Sequence, residues 1–254
     1  MNIYETDRLL AEYLLFHYGS AEEILSPGME LRAGLEFPRR CAQWVLRHQA
    51  PGSKRALDLG CAVGRASFEL SGGFEEVLGI DFSASFIRAA ERLKHEGQLA
   101  YERVDEGRIR TVLQAQVPAG LEPGRVSFEQ GDACHLREDL GEFDAILMAN
   151  LLCRLPDPQA CLERSRSLLR RGGVMVLTTP CSWMEEFTLP EKWLGGRQAE
   201  EGAGEVRTLE GIREVLGDSF QLEMLAEEPF LIREHARKFQ WGQAQVSVWR
   251  LSDF

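Results

Sequence analysis

Apolar residues fall in short runs that are separated by stretches with a different spacing. Seven runs have the length and composition of strands, at residues 55–60, 76–81, 125–132, 143–150, 173–179, 219–230 and 244–251. Between most of the first five runs, apolar positions recur with the spacing of an amphipathic helix. This alternation predicts an α/β fold, a mostly parallel seven-stranded sheet with helices on both faces.

The segments between the predicted strands define the crossover helices. Residues 64–73 and 83–97 predict the first two. Residues 156–173 predict a later helix that ends at its closing pair of glycines, Gly172 and Gly173, because glycine commonly ends helices.

Length and segment pattern favour one domain over residues 1–254. Within it, residues 1–50 predict a helical cap over one end of the sheet, since their apolar positions form one stripe. Residues 51–254 form the α/β core. Two insertions interrupt it: a polar stretch over 97–124, and a connection rich in Trp, Pro and Gly over 180–208, a length typical of functional loops.

Charge and cysteine usage exclude several classes of partner. The net charge of −11 gives no field that attracts nucleic acid or anionic membranes, so neither is expected. No run approaches a membrane-spanning length and the first residues lack a basic start, so a cytoplasmic protein is expected. The six cysteines form no C-x-x-C pair and the histidines no i, i+4 pair, so no metal site is expected.

The sequence DLGCAVG at residues 58–64 joins the first predicted strand to a helix. Glycines there let backbone N–H groups and the helix N-terminus approach a ligand closely. Dinucleotide-binding turns have a third glycine where this chain has Arg65, Ala66 and Ser67. Asp58 would repel a pyrophosphate, but it suits a ligand that carries an ammonium and a sulfonium charge. S-adenosylmethionine is such a ligand.

Polar residues at the next strand ends extend this interpretation. Asp81, 21 residues past Gly60, is placed to accept hydrogen bonds from both ribose hydroxyls. Asp132 is placed to accept from the adenine amino group, and Asn150 to lie beneath the methionine part. Plainer interpretations remain, because a short glycine turn alone is a weak signal, Asp81 can act as a helix cap and Asp132 can form an ordinary turn. The predicted cofactor residues are Asp58, Gly60, Cys61, Ala62, Gly64, Asp81, Phe82, Ser83, Asp132, Ala133, Cys134 and Asn150.

From residue 55 to its end, the chain resembles class I methyltransferases, which bind S-adenosylmethionine on a Rossmann-like fold. Ala62 stands where that family usually has a third glycine in the turn. This mild departure slightly narrows the approach to the methionine part of the cofactor.

Longer stretches resemble one narrower family. They are YETDRLLAEYLLFHYG (4–19), DLGCAVGRASFELS (58–71), GIDFSASFI (79–87), NLLCRLPDP (150–158), TTPCSWMEEFTLPEKWLGG (178–196) and EHARKFQWGQAQVSVWR (234–250). They are similar to the methyltransferase domain that ends the ovothiol-biosynthesis sulfoxide synthases, and to its free-standing counterparts. The resemblance implies methyl transfer to the imidazole nitrogen of 4-mercaptohistidine nearer the amino-acid side chain, giving ovothiol A. This sequence carries nothing like the iron-dependent oxidising portion of the fused proteins. A separate sulfoxide synthase is therefore expected to supply the substrate, unless the chain is an excised domain.

The acceptor pocket is expected between the cap, the 180–196 connection and the 233–241 segment. A mercaptoimidazole has a ring lone pair, so positioning matters more than a strong base, and its sulfur must be kept away from the methyl group. The predicted substrate residues are Tyr4, Tyr18, Arg154, Trp183, Glu185, Trp193 and Arg237. The predicted catalytic residues are Glu186 or His17 as a base, and Asn150.

These side chains also have structural interpretations. The cap residues can pack on the core or the adenosine, and the tryptophans can anchor their loop. Arg154 can be solvated or salt-bridged, and Arg233, Arg237 and Lys238 can form a surface charge run. For the whole chain, a methyltransferase for another small oxygen or carbon acceptor and a non-catalytic cofactor-binding regulator remain alternatives. Asp58 counts against a nicotinamide dehydrogenase.

Overall fold

A computed structural model of the protein describes residues 5–198 and 204–252. Its strands are β1 (Arg55–Leu59), β2 (Glu76–Asp81), β3 (Gln98–Glu106), β4 (Ile109–Gln116), β5 (Val126–Gln130), β6 (Phe143–Ala149), β7 (Leu169–Thr179), β8 (Arg197–Gln198), β9 (Glu205–Val206), β10 (Phe220–His235) and β11 (Lys238–Leu251). Its helices are α1 (Asp7–Tyr18), α2 (Ala21–Ile24), α3 (Phe37–His48), α4 (Arg65–Leu70), α5 (Ala84–Glu96), α6 (Pro158–Leu168) and α7 (Thr208–Leu216).

Seven strands form the central sheet in the order β10-β11-β7-β6-β1-β2-β5. Strand β11 runs antiparallel to both of its neighbours, and the other neighbouring pairs are parallel. The predicted α/β fold with a mostly parallel seven-stranded sheet is confirmed. Strands β10 and β11 are longer than predicted, because their hairpin continues past the end of β7. Thr179 of β7 pairs with Gln245, whereas β11 already begins at Lys238.

Helices cover both faces of the sheet, as the alternation predicts. On one face, α3, α4 and α5 pack over side chains such as Ala56 and Val77. On the other face, α6 and α7 pack over Leu57 and Ile146. These four side chains are at most 1% exposed. Because successive strand residues point to opposite faces, the adjacent Ala56 and Leu57 belong to different cores.

Helix α6 ends earlier than its glycines predict. It ends at Leu168, and Gly172 and Gly173 lie inside β7. Leu169 already pairs with Phe143 of β6, so sheet hydrogen bonds replace helical ones before the glycines are reached. A register shift in this pairing absorbs the intervening residues as a bulge. The prediction that these glycines stop the helix is therefore wrong.

Residues 5–50 are largely helical, but they do more than cover one end of the sheet. Helix α1 begins after Thr6, whose side chain accepts a hydrogen bond from the Leu9 N–H at 3.3 Å. It packs against β10 and the β3–β4 pair. Helix α3 instead lies on a sheet face, against β6, β7 and α4. The prediction of a cap over one end alone is corrected accordingly.

The two insertions contain local structure that the sequence pattern did not specify. Strands β3 and β4 form an antiparallel hairpin that stands outside the central sheet, between α5 and β5. The Val117 N–H donates to the Gly97 carbonyl at 2.9 Å, so the chain enters and leaves this hairpin at one point. The second insertion carries a 3₁₀ turn at Pro190–Lys192 and the short β8–β9 pair.

Two features are absent from the described ranges, 5–198 and 204–252. No helix there has the length and apolar character needed to cross a membrane. No three side chains of histidine, cysteine, aspartate or glutamate there cluster as a metal ion requires.

Candidate active site

The chain leaves β1 in a sharp turn, residues 60–64, which we call the glycine turn. Gly60 and Gly64 have φ angles of 79° and 84°, in the left-handed region that glycine adopts without strain. A Cβ at Gly60 would lie 2.9 Å from the Leu151 side chain, and one at Gly64 would lie 2.6 Å from the Phe128 ring. The fold itself therefore requires both glycines, before any ligand is considered.

Hydrogen bonds join the glycine turn to the end of β2. The N–H groups of Gly60 and Cys61 donate to the Ile80 carbonyl at 2.8 and 3.1 Å. The Ala62 N–H donates to Oδ2 of Asp81 at 2.9 Å. Ala62 has a φ of 47°, which is uncommon for a residue with a side chain, and its bond to Asp81 helps to hold it there.

Two carboxyl groups flank the glycine turn. Asp58, on β1, is 1% exposed and accepts a hydrogen bond from Oγ of Ser67 at 2.6 Å. Burial raises its pKa to about 7, although the Ser67 bond opposes the shift. Asp81 accepts from the Ser83 N–H at 2.8 Å, and loss of hydration raises its pKa to about 6. A bound cation would favour the ionised form of both groups, so this place suits a positively charged ligand.

Asp132 lies beyond the end of β5 with both oxygens engaged. Oδ1 accepts from the Cys134 N–H at 2.9 Å, and Oδ2 lies 2.8 Å from Nδ1 of His135. This matches the ordinary-turn interpretation, but each oxygen keeps a further lone pair. The Gln130 side chain donates to the Phe82 carbonyl at 3.2 Å. That bond brings Phe82, which is 59% exposed, to the same edge.

Asn150 follows β6 in the left-handed region, with a φ of 53°. Its N–H lies 2.9 Å from the Thr178 carbonyl and 3.0 Å from Oγ1 of Thr178. The same hydroxyl donates to Oδ1 of Asn150 at 3.0 Å. The neighbouring strand β7 thus fixes this residue and orients its amide.

The sheet order brings these groups together. Strands β5, β2, β1 and β6 are consecutive neighbours. Asp132, Asp81, Asp58 and Asn150 therefore lie along one carboxyl edge, the place where open α/β sheets bind ligands.

Helix α1 is tied to the glycine turn at its C-terminal end. The Tyr18 hydroxyl donates to the Val63 carbonyl at 2.8 Å. Nη1 of Arg65 donates to the His17 carbonyl at 3.0 Å, and the guanidinium lies 5.7 Å from the centre of the Tyr18 ring. The predicted cap residues His17 and Tyr18 thus lie beside the glycine turn. Tyr4, the third, lies outside the described residues.

His17 has the environment of a packed side chain. It is 7% exposed, and its Nδ1 has no hydrogen-bond partner within 5–198 and 204–252. The ring centres of Tyr13 and Phe16 lie 5.9 and 5.4 Å away. Burial, followed by the charge of Arg65, lowers the pKa of His17 to about 3. The imidazole is therefore neutral and a weak base at physiological pH.

Arg154 anchors the segment that follows β7. Its Nη1 donates to the carbonyls of Cys153 and Ser182 at 2.9 and 3.0 Å. Its guanidinium lies 5.0 Å from the centre of the Phe187 ring. Neither the solvated nor the salt-bridged interpretation describes this residue, because its bonds go to neutral groups.

The two tryptophans hold the same segment in place. Nε1 of Trp183 donates to Oγ1 of Thr208 at 3.0 Å, and Nε1 of Trp193 donates to the Thr188 carbonyl at 2.9 Å. Loop anchoring thus accounts for both indole N–H groups. Only the ring faces remain for an acceptor.

The other predicted acceptor residues are exposed. Glu185 and Glu186 face solvent between the tryptophans, and Arg237 lies in the turn between β10 and β11. A surface charge run does not describe Arg233, which is 7% exposed and donates to the Glu23 carbonyl at 2.9 Å.

Sequence reasoning missed the side chains that hold the polar groups in place. Ser67, in the first turn of α4, was readable as a partner of Asp58 because both flank the glycine turn. Thr178 was not readable as a partner of Asn150. Their contact depends on the pairing of β6 with β7, which brings together residues 28 positions apart.

Comparisons with known proteins show similarity to methyltransferases. Residues 57–175 match a family model described as a methyltransferase domain. A ubiquinone biosynthesis O-methyltransferase from Methylococcus capsulatus is 24% identical over 139 residues, which are 54% of this chain and 48% of the relative. The chain thus spans about half the length of the curated relatives it matches.

Solved structures share the fold. The magnesium protoporphyrin IX methyltransferase from Synechocystis PCC 6803, solved with bound SAH, is 18% identical, with a TM-score of 0.51 and coverage of 85% of this chain and 82% of that one. The cyclase SpnF is 15% identical, with a TM-score of 0.55 and 97% coverage of both chains. Such low identities show the fold alone. The chain therefore has the Rossmann-like fold of class I methyltransferases, and its residues 57–175 match the model of a methyltransferase domain.

Proposed function

We propose that the enzyme transfers the methyl group of S-adenosylmethionine to an imidazole nitrogen of 4-mercaptohistidine, giving ovothiol A and S-adenosylhomocysteine. The stretches that resemble that narrower family support the acceptor, and the carboxyl groups beside the glycine turn support the cofactor. The hydrogen bond between Ala62 and Asp81 carries the most weight, since it joins the turn and a carboxylate in one site.

The strand-end residues fit this cofactor by their chemistry. Asp58 attracts its positive charges, and a cation beside that carboxyl group offsets the cost of burying it. Asp81 accepts from the ribose hydroxyls with the lone pairs that its two backbone bonds leave free. Asp132 accepts from the adenine amino group, and the exposed ring of Phe82 packs on the adenine. The bound cofactor supplies a methyl group that its positive sulfur already activates.

Positioning is the main task of the remaining residues, because methyl transfer is an in-line displacement. The acceptor has two nucleophiles, a ring nitrogen and a more reactive sulfur, and the pocket has to present the nitrogen. In this proposal Tyr18 and the ring faces of Trp183 and Trp193 restrict the imidazole. Glu185 and Arg237 bind the amino-acid tail, while Arg154 keeps the segment after β7 in place.

A strong base is not required, since the ring nitrogen already carries a lone pair. His17 is too weak a base to take up a proton near pH 7, because its pKa is about 3. Glu186, whose carboxyl group faces solvent, is the better candidate for proton uptake. Asn150, held by Thr178, orients the reacting groups from the end of β6.

The proposal also covers the domain organisation of the enzyme and the source of its substrate. Residues 1–254 act as one methyltransferase domain on a small molecule. The thiol group of the substrate is installed beforehand by a separate sulfoxide synthase.

A second candidate is methyl transfer to oxygen. The curated relatives include ubiquinone biosynthesis O-methyltransferases, and the cofactor residues serve either acceptor equally well. The difference therefore depends on the acceptor side, where the resemblance favours thiohistidine.

Incubation with labelled cofactor decides between these acceptors. The arms are 4-mercaptohistidine, histidine and a simple catechol, with product mass and the methylated atom read by mass spectrometry and NMR. We expect label on a ring nitrogen of 4-mercaptohistidine only. Preference for histidine or for the catechol would refute the ovothiol function and leave the cofactor assignment intact.

A further inference from the structure

A cavity of about 830 Å³ lies beside α1, and we call it the α1 cavity. Its walls are α1, α5, the β3–β4 hairpin and the turn between β10 and β11. Among the described residues that line it, none belongs to the predicted cofactor set, and Arg237 alone belongs to the predicted substrate set. Its volume is in the range of sites for small molecules.

The floor of the α1 cavity is apolar. Leu14 of α1, Ala89 of α5 and the hairpin residues Leu99 and Tyr101 are each at most 7% exposed. Apolar walls with a few polar groups at the entrance are typical of pockets that bind small organic ligands. The floor therefore accommodates the body of a ligand, and its charged ends are left for the rim.

Arginines without acidic partners stand on the rim. Arg88 of α5, Arg110 of β4 and Arg237 line the cavity, and in the described part of the chain none of them lies within ion-pair distance of a carboxylate. Arg8 and Arg92, on the same rim, are paired with glutamates of their own helices at 2.8 and 3.2 Å. Nη1 of Arg110 donates to the Gly107 and Ile109 carbonyls at 2.7 and 3.1 Å, but these bonds leave its charge without a carboxylate partner. In a chain of net charge −11, the three guanidinium groups can therefore bind a ligand carboxylate.

Acidic groups stand on the same rim. Asp105 and Glu234 are held by neighbouring bases at 2.8 and 2.6 Å. Asp7, Glu102 and Glu106 also line the cavity, without an ion pair inside the ranges that the structure describes. These acids would repel a simple anion, but they suit a ligand that also carries an ammonium group.

We propose that the α1 cavity binds a free amino acid. The unpaired arginines receive its α-carboxylate, the unpaired acids receive its α-ammonium, and the apolar floor receives an aromatic or aliphatic side chain. Such a ligand has a partner for each sign of charge on the rim, whereas an anion or a cation alone would match only one of them. The proposal concerns binding, and it holds whether or not the bound amino acid is the methyl acceptor.

Calorimetry on the full chain without cofactor tests this proposal. The probes are L-histidine, L-phenylalanine and L-leucine, each with its amide, which lacks the carboxylate, and its desamino acid, which lacks the ammonium. We expect at least one amino acid to bind at millimolar concentration or tighter, with both analogues about tenfold weaker. Failure of all three amino acids, or equal affinity of an analogue, would overturn the proposal.

Variants that each remove one charge from the rim test whether the amino acid binds in the α1 cavity. Arg88→Gln is expected to weaken the amino acid and the desamino acid at least threefold and to leave the amide unchanged. Glu102→Gln is expected to weaken the amino acid and the amide and to leave the desamino acid unchanged. Both side chains are exposed, so the variants fold, and Arg213→Gln and Glu210→Gln on α7 are matched controls without effect.

Two further outcomes keep this inference separate from the proposed function. If Asp81→Ala weakens amino-acid binding while Arg88→Gln and Glu102→Gln do not, the amino acid binds at the strand ends and the inference is wrong. Addition of cofactor then shows whether the bound amino acid is methylated. Amino-acid binding in a protein that does not methylate 4-mercaptohistidine would contradict the proposed function alone.

Discussion

The carboxyl edge of β5, β2, β1 and β6, which we call the strand-end site, and the α1 cavity are formed by different kinds of chemical groups. At the strand ends, backbone N–H groups and carboxylates from neighbouring strands are bonded to one another before a ligand arrives, as between Ala62 and Asp81. In the α1 cavity, charged side chains surround an apolar floor, and several of them, such as Arg88 and Glu102, form no ion pair within residues 5–198 and 204–252. The first site is organised by sheet topology, and the second by the packing of inserted segments. The difference shows how one fold can hold one site in place through its central sheet while segments inserted between its elements form a separate cavity.

The largest expected effect tests whether the strand ends hold the cofactor at all. Asp81→Ala removes the acceptor of the Ala62 and Ser83 N–H groups as well as the predicted ribose contact. We expect affinity for S-adenosylmethionine, measured by calorimetry, to fall at least about 100-fold. Glu76→Ala, at the exposed start of the same strand, is the control. An unchanged affinity in Asp81→Ala would show that the strand ends do not bind the cofactor.

The second effect is a pH dependence of cofactor binding. Because Asp58 has a pKa of about 7 and Asp81 of about 6, both are largely ionised only above these values. A cationic cofactor should therefore bind about tenfold more tightly at pH 8 than at pH 6. Asp58→Asn should flatten this profile in calorimetric titrations, and a flat profile in the unaltered protein would contradict the role of Asp58.

The raised pKa values of Asp58 and Asp81 also affect the stability of the ligand-free protein, with the opposite pH dependence. A carboxyl group with a raised folded-state pKa binds more protons in the folded than in the unfolded chain between about pH 4 and 7. The free energy of unfolding without cofactor should thus decrease as pH rises through this window. Urea titrations at several pH values measure it.

The third effect compares one tyrosine from each region. Tyr18→Phe removes the hydroxyl that donates to Val63 and should lower the free energy of unfolding by about 1 kcal/mol. Tyr101→Phe, in the floor of the α1 cavity, removes a buried hydroxyl that has no partner within the described ranges. It should leave stability unchanged or raise it by up to about 1 kcal/mol. If urea titrations gave the same decrease in the free energy of unfolding for Tyr18→Phe and Tyr101→Phe, the two regions would not differ in how their tyrosines are held.

The smallest effect concerns the proposed proton acceptor. If positioning dominates catalysis, Glu186→Gln should lower kcat by less than about threefold in assays with 4-mercaptohistidine. Glu191→Gln, an exposed carboxyl group on the same segment to which the proposal gives no role, is the control for a general charge effect. A loss of more than about 100-fold specific to Glu186 would show that proton removal limits the reaction.

The central sheet was predictable because each of its strands is a separate apolar run. Leu57, Ile80 and Leu147 stand in such runs, and their burial needs no knowledge of distant segments. The β3–β4 hairpin was not predicted, although Gly107 marks its turn with a φ of 55°. The hairpin packs against α1 and β10, which lie far away in sequence. Its residues Leu99, Tyr101 and Ala115 are buried, whereas Ile109 and Val112 are 63% and 69% exposed, so the burial of its apolar positions could not be predicted from the local pattern.

Within the candidate site, the strand-end residues could likewise be predicted from the sequence, whereas the structural roles of the residues on the acceptor side could not. The positions of Asp58, Asp81 and Asn150 follow from where strands end, so a linear pattern is sufficient to predict them. The structural role of Trp183 depends on Thr208, 25 residues further along the chain. That of Arg233 depends on a carbonyl 210 residues earlier. Such partners are set by tertiary packing, which a periodic pattern does not encode.

The hairpin begins and ends at adjacent points, where the Val117 N–H meets the Gly97 carbonyl at 2.9 Å. A turn of a few residues would bridge that gap, so α5 can pass to β5 without the nineteen residues between 98 and 116. One wall of the α1 cavity would be lost with them, while the carboxyl edge of the sheet would keep its shape. This segment is therefore an exchangeable module: replacing it would change the α1 cavity without rebuilding the carboxyl edge at which we propose that the methyl donor binds.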